Sequence, residues 1–277
     1  TGEHPRPPLR RFKRRTLRRG TKIMSLPKTP SFRVDGRKAL VTGAGRGIGR
    51  ASAVALADAG ADVVLAARTV AEVDALADEI RATGGQASGL ALDVSDLEAT
   101  RAAVGEHGPF QILVNNAGTN RPAFLQDITE DDYDLVTNLN VRSVVFLTQT
   151  VAKSLQDAGL SGSIINISSQ MGHVGGPKRT VYCATKHALE GITKALAWEL
   201  GPDGIRVNTI CPTFIVTPMS KPMLEDKDFH DMVVSSIALG RVGQVEEIMG
   251  AVVYLASNAS SLVTGAALMV DGGWTAA

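Results

Sequence analysis

The chain has 277 residues, 44% of them hydrophobic, and a formal net charge of +1 at pH 7; it reads as globular, with enough apolar material for a sizeable core. No apolar run approaches the roughly 18 residues needed to span a bilayer, and no charged, apolar, then small-residue pattern marks a secretory leader. A soluble, cytoplasmic protein is expected, with no membrane partner. The two cysteines, Cys183 and Cys211, lack zinc-ligand spacing and are too few for a disulfide framework; packed free thiols and no metal are expected.

The small net charge hides an asymmetry. Nine of the 29 Lys and Arg residues fall within residues 1–24, against the single acid Glu3. Such a tail could serve nucleic acid, an anionic membrane or organelle import. It contains prolines, lacks a sustained apolar face, and gives way to ordinary composition at Met24. Residues 1–33 are therefore read as a basic extension, disordered, appended or translated from upstream, with no part in the activity, and nucleic acid is not expected as a partner.

From Arg37 onward, short β-branched apolar runs alternate with longer amphipathic stretches. Strands are expected at 38–42, 62–66, 87–92, 111–115, 163–168, 205–210 and 267–270, and helices at 47–59, 70–83, 96–106, 130–157, 180–200 and 245–257. Strands apolar throughout, separated by helices, indicate a parallel sheet covered on both faces. Residues 34–277 are read as one doubly wound α/β domain, since no Pro/Gly-rich linker interrupts them.

The turn after the first strand reads TGAGRGIG. Its glycines, Gly43, Gly45, Gly47 and Gly49, follow the pattern Thr42-Gly43-x-x-x-Gly47-x-Gly49 rather than GxGxxG. Missing side chains let such a turn tighten, and let a helix N-terminus offer unpaired N–H groups to a pyrophosphate. The second strand ends in Ala67-Arg68, with no acid there to receive a ribose 2′-OH. An arginine pairs bidentately with a 2′-phosphate that a carboxylate would repel, so NADP(H) is favoured, NAD(H) remains possible, and Arg46 could add a second positive charge. Asp93, after the third strand, would by itself be a cap for the next helix.

Further on, Ser168 and Ser169 close the fifth strand, where ligands gather in parallel sheets. Tyr182 and Lys186 follow at i and i+4 on one helix face. A free tyrosine titrates near 10; a cation 4 Å away favours its phenolate by up to about 4 kcal/mol at an effective dielectric of 20. Lys186 is expected to be that cation.

TGAGRGIG, NNAG at 115–118, IINISS and YCATK resemble, in this order and at these separations, the short-chain dehydrogenase/reductase family, over residues 34 to 277. The resemblance implies an enzyme: an NAD(P)-dependent oxidoreductase with a single Rossmann-type domain built on a seven-stranded parallel sheet with helices on both faces. It implies catalytic Asn140, Ser169, Tyr182 and Lys186, preferring Asn140 over Asn138 and Ser169 over Ser168. It implies cofactor contacts at Gly43, Arg46, Gly47, Ile48, Gly49, Arg68, Asp93, Val94, Asn115, Gly118, Tyr182, Lys186, Ile215 and Thr217. Thr213 stands where the family usually has glycine, which stiffens that loop. Substrate contacts are expected at Ser169, Gln170, His173 and Tyr182, beneath a lid near 218–240, while His187 is read as packing. Arg121, Gln170, His173 and Arg179 offer polar groups to a hydroxylated or acidic small molecule, and NNAGTNRPAF resembles sugar-acid and polyol dehydrogenases. A 3-oxoacyl-carrier-protein reductase is the alternative within the family; a non-catalytic nucleotide sensor or nucleic-acid-binding protein is the alternative outside it. The last strand and tail resemble segments that pack family members as homotetramers.

Overall fold

The computed structural model describes residues 26–276; the basic run of residues 1–25 and its expected disorder lie outside the described residues. The strands are β1 (Lys38–Thr42), β2 (Asp62–Ala67), β3 (Gln86–Ala91), β4 (Ile112–Asn115), β5 (Gly162–Ile167), β6 (Ile205–Pro212) and β7 (Ala267–Val270). The helices are α1 (Gly47–Asp58), α2 (Val70–Ala82), α3 (Leu97–His107), α4 (Glu130–Thr137), α5 (Ser143–Ala158), α6 (Thr180–Leu200), α7 (Lys221–Leu224), α8 (Lys227–Ser235) and α9 (Glu246–Ala256). All seven strands run parallel in one sheet, in the order β3-β2-β1-β4-β5-β6-β7. The chain winds outward from β1 through β3 and then returns to place β4 beside β1. Connections leave β1 and β4 on opposite faces, which opens a crevice above their C-terminal ends.

The central strands are mainly apolar because both faces are covered, whereas the edge strand β3 carries the exposed Gln86 and Ser88. With a side-chain period of two, Ala39 and Val41 of β1 enter one core and Leu40 the other. The first core joins Val41, Leu65 and Val114 to Leu56 of α1, Leu76 of α2, and Val252 and Leu255 of α9. The second joins Leu40, Leu113 and Ile164 to Val104 of α3 and to Leu147, Val151 and Leu155 of α5. Each such fully buried side chain contributes about 1.5–3 kcal/mol. Val34 is buried in the first core, and its amide donates to Ala59 O at 2.9 Å.

Two departures from the expected elements bear on the site. The stretch 130–157, read as one helix, is α4, then a wide π-type turn over Asn138–Arg142, then α5. The extra residue in that turn directs Asn140 inward, where it is 1% exposed. Its amide donates to Thr119 O at 2.9 Å and Thr185 Oγ1 at 3.2 Å, and its Oδ1 accepts from Thr119 N at 2.8 Å; such turns recur at functional sites. The stretch near 218–240 carries α7 and α8, the latter capped by the Asp226 side chain.

Candidate active site

A cavity of about 710 Å³ opens along the C-terminal edge of the sheet. The glycine turn, the ends of β2 and β4, Ser168 and Ser169 after β5, the first turns of α6, and Thr213 to Met219 line it. At one end stand Arg46, Arg68, Thr69, Asp93 and Ser95, with Glu72 beside them. Arg68 is exposed and forms no ion pair among the described residues. Asp93 does not cap α3: Asp96 does, accepting from Glu98 N and Ala99 N. The Asp93 carboxylate instead accepts from Ser95 Oγ at 2.7 Å and Ser95 N at 2.9 Å. These bonds, with the charge of Arg68, hold it below the usual carboxylate range.

The glycine turn is braced from β4. Asn116 Nδ2 donates to Thr42 O at 2.9 Å and Gly43 O at 3.1 Å. Thr42 Oγ1 donates to Val114 O at 3.2 Å and accepts from Asn116 N at 3.0 Å and Ala117 N at 3.1 Å. Gly43 (φ 63) and Gly47 (φ 56) occupy the left-handed region. A Cβ on Gly49 would lie 2.2 Å from Gly43 O and 2.4 Å from Asn116 Nδ2. α1 starts there with no side-chain cap, leaving its first N–H groups for a ligand.

At the other end, Ser169 Oγ donates to Gln170 Oε1 at 2.7 Å and accepts from Met171 N at 3.1 Å. Lys186 is 7% exposed; its Nζ donates to Ile167 O at 2.8 Å and stands 5.5 Å from the centre of the Tyr182 ring. Burial lowers its ammonium to about 8, against the opposing pull of Cys211 and Glu190. Burial raises the Tyr182 phenol, and the Ser169 hydroxyl and the charge of Arg179 oppose that rise. Arg179, just before α6, is thus a second cation near the phenol, beside Lys186.

Several expected contacts are placed otherwise. Asn115 turns away from the cavity, donating to Asn166 Oδ1 at 2.8 Å and Thr148 Oγ1 at 3.0 Å; Asn116 lines the cavity in its place. Ile215 is packed in the first core, while Thr217 lines the cavity beside Gly47. Asn140 lies behind Asn138, which reaches the wall. Gln170 is buried against Ser169. His173 Nε2 points to Cys211 Sγ at 3.5 Å and Glu190 Oε2 at 3.7 Å, away from the cavity. His187 is exposed on α6 and bonds Cys183 O through Nδ1 at 2.9 Å. His173, Glu190 and Cys211 bring metal-capable donors within 4.8 Å of one another, a trio that residue spacing gave no sign of; Thr209 Oγ1 donates to its carboxylate at 2.9 Å. Gly43, Arg46, Gly47, Ile48, Arg68, Asp93, Val94, Gly118, Ser169, Tyr182, Lys186 and Thr217 all line the cavity, and Gly49 stays buried beneath the turn.

The residues present fit a phosphorylated dinucleotide. The uncapped helix start suits its pyrophosphate and the arginines suit a terminal phosphate. The buried Thr213 Oγ1 and Ser168 Oγ, both on residues lining the cavity, have no partner among the described residues.

Residues 43–275 match a family model described as Enoyl-(Acyl carrier protein) reductase. The chain belongs to the short-chain dehydrogenase/reductase family. It is 42% identical over 248 residues to L-xylulose reductase of Bos taurus, covering 88% of this chain and 99% of that protein. It is 40% identical over 248 residues to gluconate 5-dehydrogenase of Gluconobacter oxydans (strain 621H), covering 88% and 96%. Among solved structures, gluconate 5-dehydrogenase from Burkholderia cenocepacia J2315 in complex with NADP and tartrate superposes with a TM-score of 0.86 at 38% identity, covering 89% of this chain and 98% of that one. For this short-chain dehydrogenase/reductase, the residue that sequence reasoning missed is Asn116. Strand alternation was the available signal, because consecutive asparagines at a strand end face opposite ways.

Proposed function

We propose that the protein is an NADP(H)-dependent oxidoreductase acting on a secondary alcohol or ketone carbon of a sugar, polyol or sugar acid. The observation that carries this reading is the meeting of Ser169, Tyr182 and Lys186 on the wall of the same cavity that the glycine turn and Arg68 line. Bound nicotinamide supplies or accepts the hydride at its C4. The substrate oxygen lies between Ser169 Oγ, which orients it by hydrogen bonding, and Tyr182 Oη, which exchanges its proton. Without substrate the Ser169 hydroxyl donates to Gln170 Oε1, and it turns from that acceptor to the substrate oxygen. The Lys186 ammonium, over the tyrosine ring, favours the phenolate as the proton leaves, and the backbone held by Asn140 lies on the relay toward solvent. Asn116 holds the glycine turn open to the pyrophosphate, and Arg68 takes the 2′-phosphate. The segment carrying α7 and α8 acts as the lid over the substrate.

The small-molecule partner follows from the cavity's size. A homotetramer is proposed from the family resemblance of the last strand; the exposed Trp198 and Leu262 are apolar side chains that assembly would cover. A cytoplasmic location is proposed with it; no described helix is long and apolar enough to cross a membrane.

The test follows nicotinamide absorbance with NADP+ or NAD+ over a panel of polyols and aldonates, for the wild type and Tyr182→Phe. The variant is expected to lose at least about 100-fold in kcat while NADPH still binds. Full turnover by the variant would overturn the mechanism.

A further inference from the structure

Behind the cavity wall, beside the reacting tyrosine, lies a charge with no hydrogen-bonded or ionic partner among the described residues. Arg179 is 8% exposed, and its guanidinium cannot shed its proton. It forms no ion pair among the described residues, and the ionisable neighbours that act on it are Tyr182 and Cys183. Its Nη1 is buried without a hydrogen-bond partner among the described residues, and its Nη2 meets only Met223 Sδ, at 3.4 Å, a weak acceptor. Leaving a buried guanidinium so poorly matched is costly, so the arrangement points to an anion that arrives with the ligand.

Its place in the fold says which anion. Arg179 precedes α6 and lies one turn before Tyr182, so their Cβ atoms stand about 5–6 Å apart. The guanidinium reaches from there to Met223 on α7, in the segment proposed as the lid; neither residue lines the cavity as it stands, so a ligand meets the guanidinium when that segment shifts. Lys178, at φ 60, turns the chain sharply just before it, and its ammonium sits 4.8 Å from the centre of the Phe124 ring. The other arginine offered by the sequence, Arg121, is already paired with Asp132 at 3.4 Å and half-exposed. Arg46 and Arg68 stand at the far end of the cavity, by Asp93.

We infer that Arg179 is the carboxylate anchor of the substrate subsite, so that the preferred substrate is a hydroxy or keto acid of the sugar series rather than a neutral polyol. This rests on the oxidoreductase reading and selects among its substrates. A planar guanidinium engages a carboxylate through paired N–H···O bonds, and the hydroxylated carbons between would bring the reacting carbinol to Tyr182.

The test compares wild type, Arg179→Met and Arg179→Lys with NADP+ and either D-gluconate or its uncharged counterpart D-glucitol. Arg179→Met should raise the KM for gluconate about 10- to 100-fold, with the lysine variant intermediate, while the KM for glucitol stays within about threefold; any change in kcat should be the same for the two compounds. A second arm needs no turnover: L-tartrate should raise the melting temperature of the NADP+-loaded wild type and not of Arg179→Met, with NADPH fluorescence titration showing that the variants are folded. Equal rises in KM for the acid and the polyol, or equal tartrate stabilisation of wild type and variant, would overturn the anchor. A shifted kcat–pH profile at unchanged KM would make Arg179 a tuner of Tyr182 and likewise overturn it. Turnover of polyols alone by the wild type would refute the anchor and leave the oxidoreductase reading standing. If neither compound is turned over, the tartrate arm decides the anchor by itself.

Discussion

Lys186 should make the protein less stable than it could be, and the penalty should follow pH. Burial lowers its folded-state value from 10.5 to about 8. At about 1.4 kcal/mol for each tenfold change, that lowering corresponds to roughly 3 kcal/mol spent on keeping the ammonium charged inside the fold at pH 7. Lys186→Met removes the charge and retains most of the volume, but leaves Ile167 O without the donor now at 2.8 Å, a loss of about 1 kcal/mol. The variant should therefore gain about 2 kcal/mol at pH 7, raising Tm by roughly 4–8 °C for a domain of this size. A lowered lysine is charged in both states below pH 8; between about 8 and 10.5 the unfolded chain binds more protons, so wild-type stability recovers relative to the variant. Paired thermal scans without cofactor at pH 7, 8, 9 and 10 read the difference directly, because titrations elsewhere cancel between the two proteins. A variant less stable than wild type at pH 7, or a gap that does not narrow toward pH 10, would refute the reasoning. The same substitution should abolish turnover, the exchange of function for stability expected at a working site.

Two further outcomes test the cofactor end. Arg68→Ala should weaken NADPH binding about 10- to 100-fold and leave NADH binding within about threefold, as read by fluorescence titration; equal effects on both would remove Arg68 from the 2′-phosphate site. Gly49→Ala must move backbone, since its Cβ would lie 2.2 Å from Gly43 O. It should cost about 1–3 kcal/mol in denaturant unfolding and loosen NADPH as the Asn116 brace opens, whereas wild-type stability and affinity would show the turn to be more pliable than drawn.

The strands were legible because each is a short apolar run between polar stretches, and covering both faces demands that pattern whatever the neighbours are. The helix over 130–157 was legible as helix but not as two helices. The π-type turn at Asn138–Arg142 is held by Thr119 and Thr185, and those residues come from other parts of the chain. Asn115 and Asn116 show the same limit at one residue's scale. The NNAG motif marked a cofactor wall, but strand pairing decided that Asn115 bonds Asn166 inside the sheet while Asn116 rises into the glycine turn. His173 looked like a loop histidine near the serine, and the packing of β6 against α6 drew it toward Cys211 and Glu190 instead.

By itself, then, the sequence determined the parallel α/β domain, the tight glycine turn, and the placing of Tyr182 and Lys186 on one helix face. Those depend on periods of two and 3.6 residues and on the absence of side chains at Gly43, Gly47 and Gly49, all local properties of the chain. Only the tertiary structure decided which groups are dry and which are paired. It placed Asp132 against Arg121, left Arg179 buried with no counter-ion among the described residues, and lowered Lys186 by burial. Desolvation and charge pairing depend on what packs around a group from distant parts of the chain, and spacing along the sequence carries no record of that.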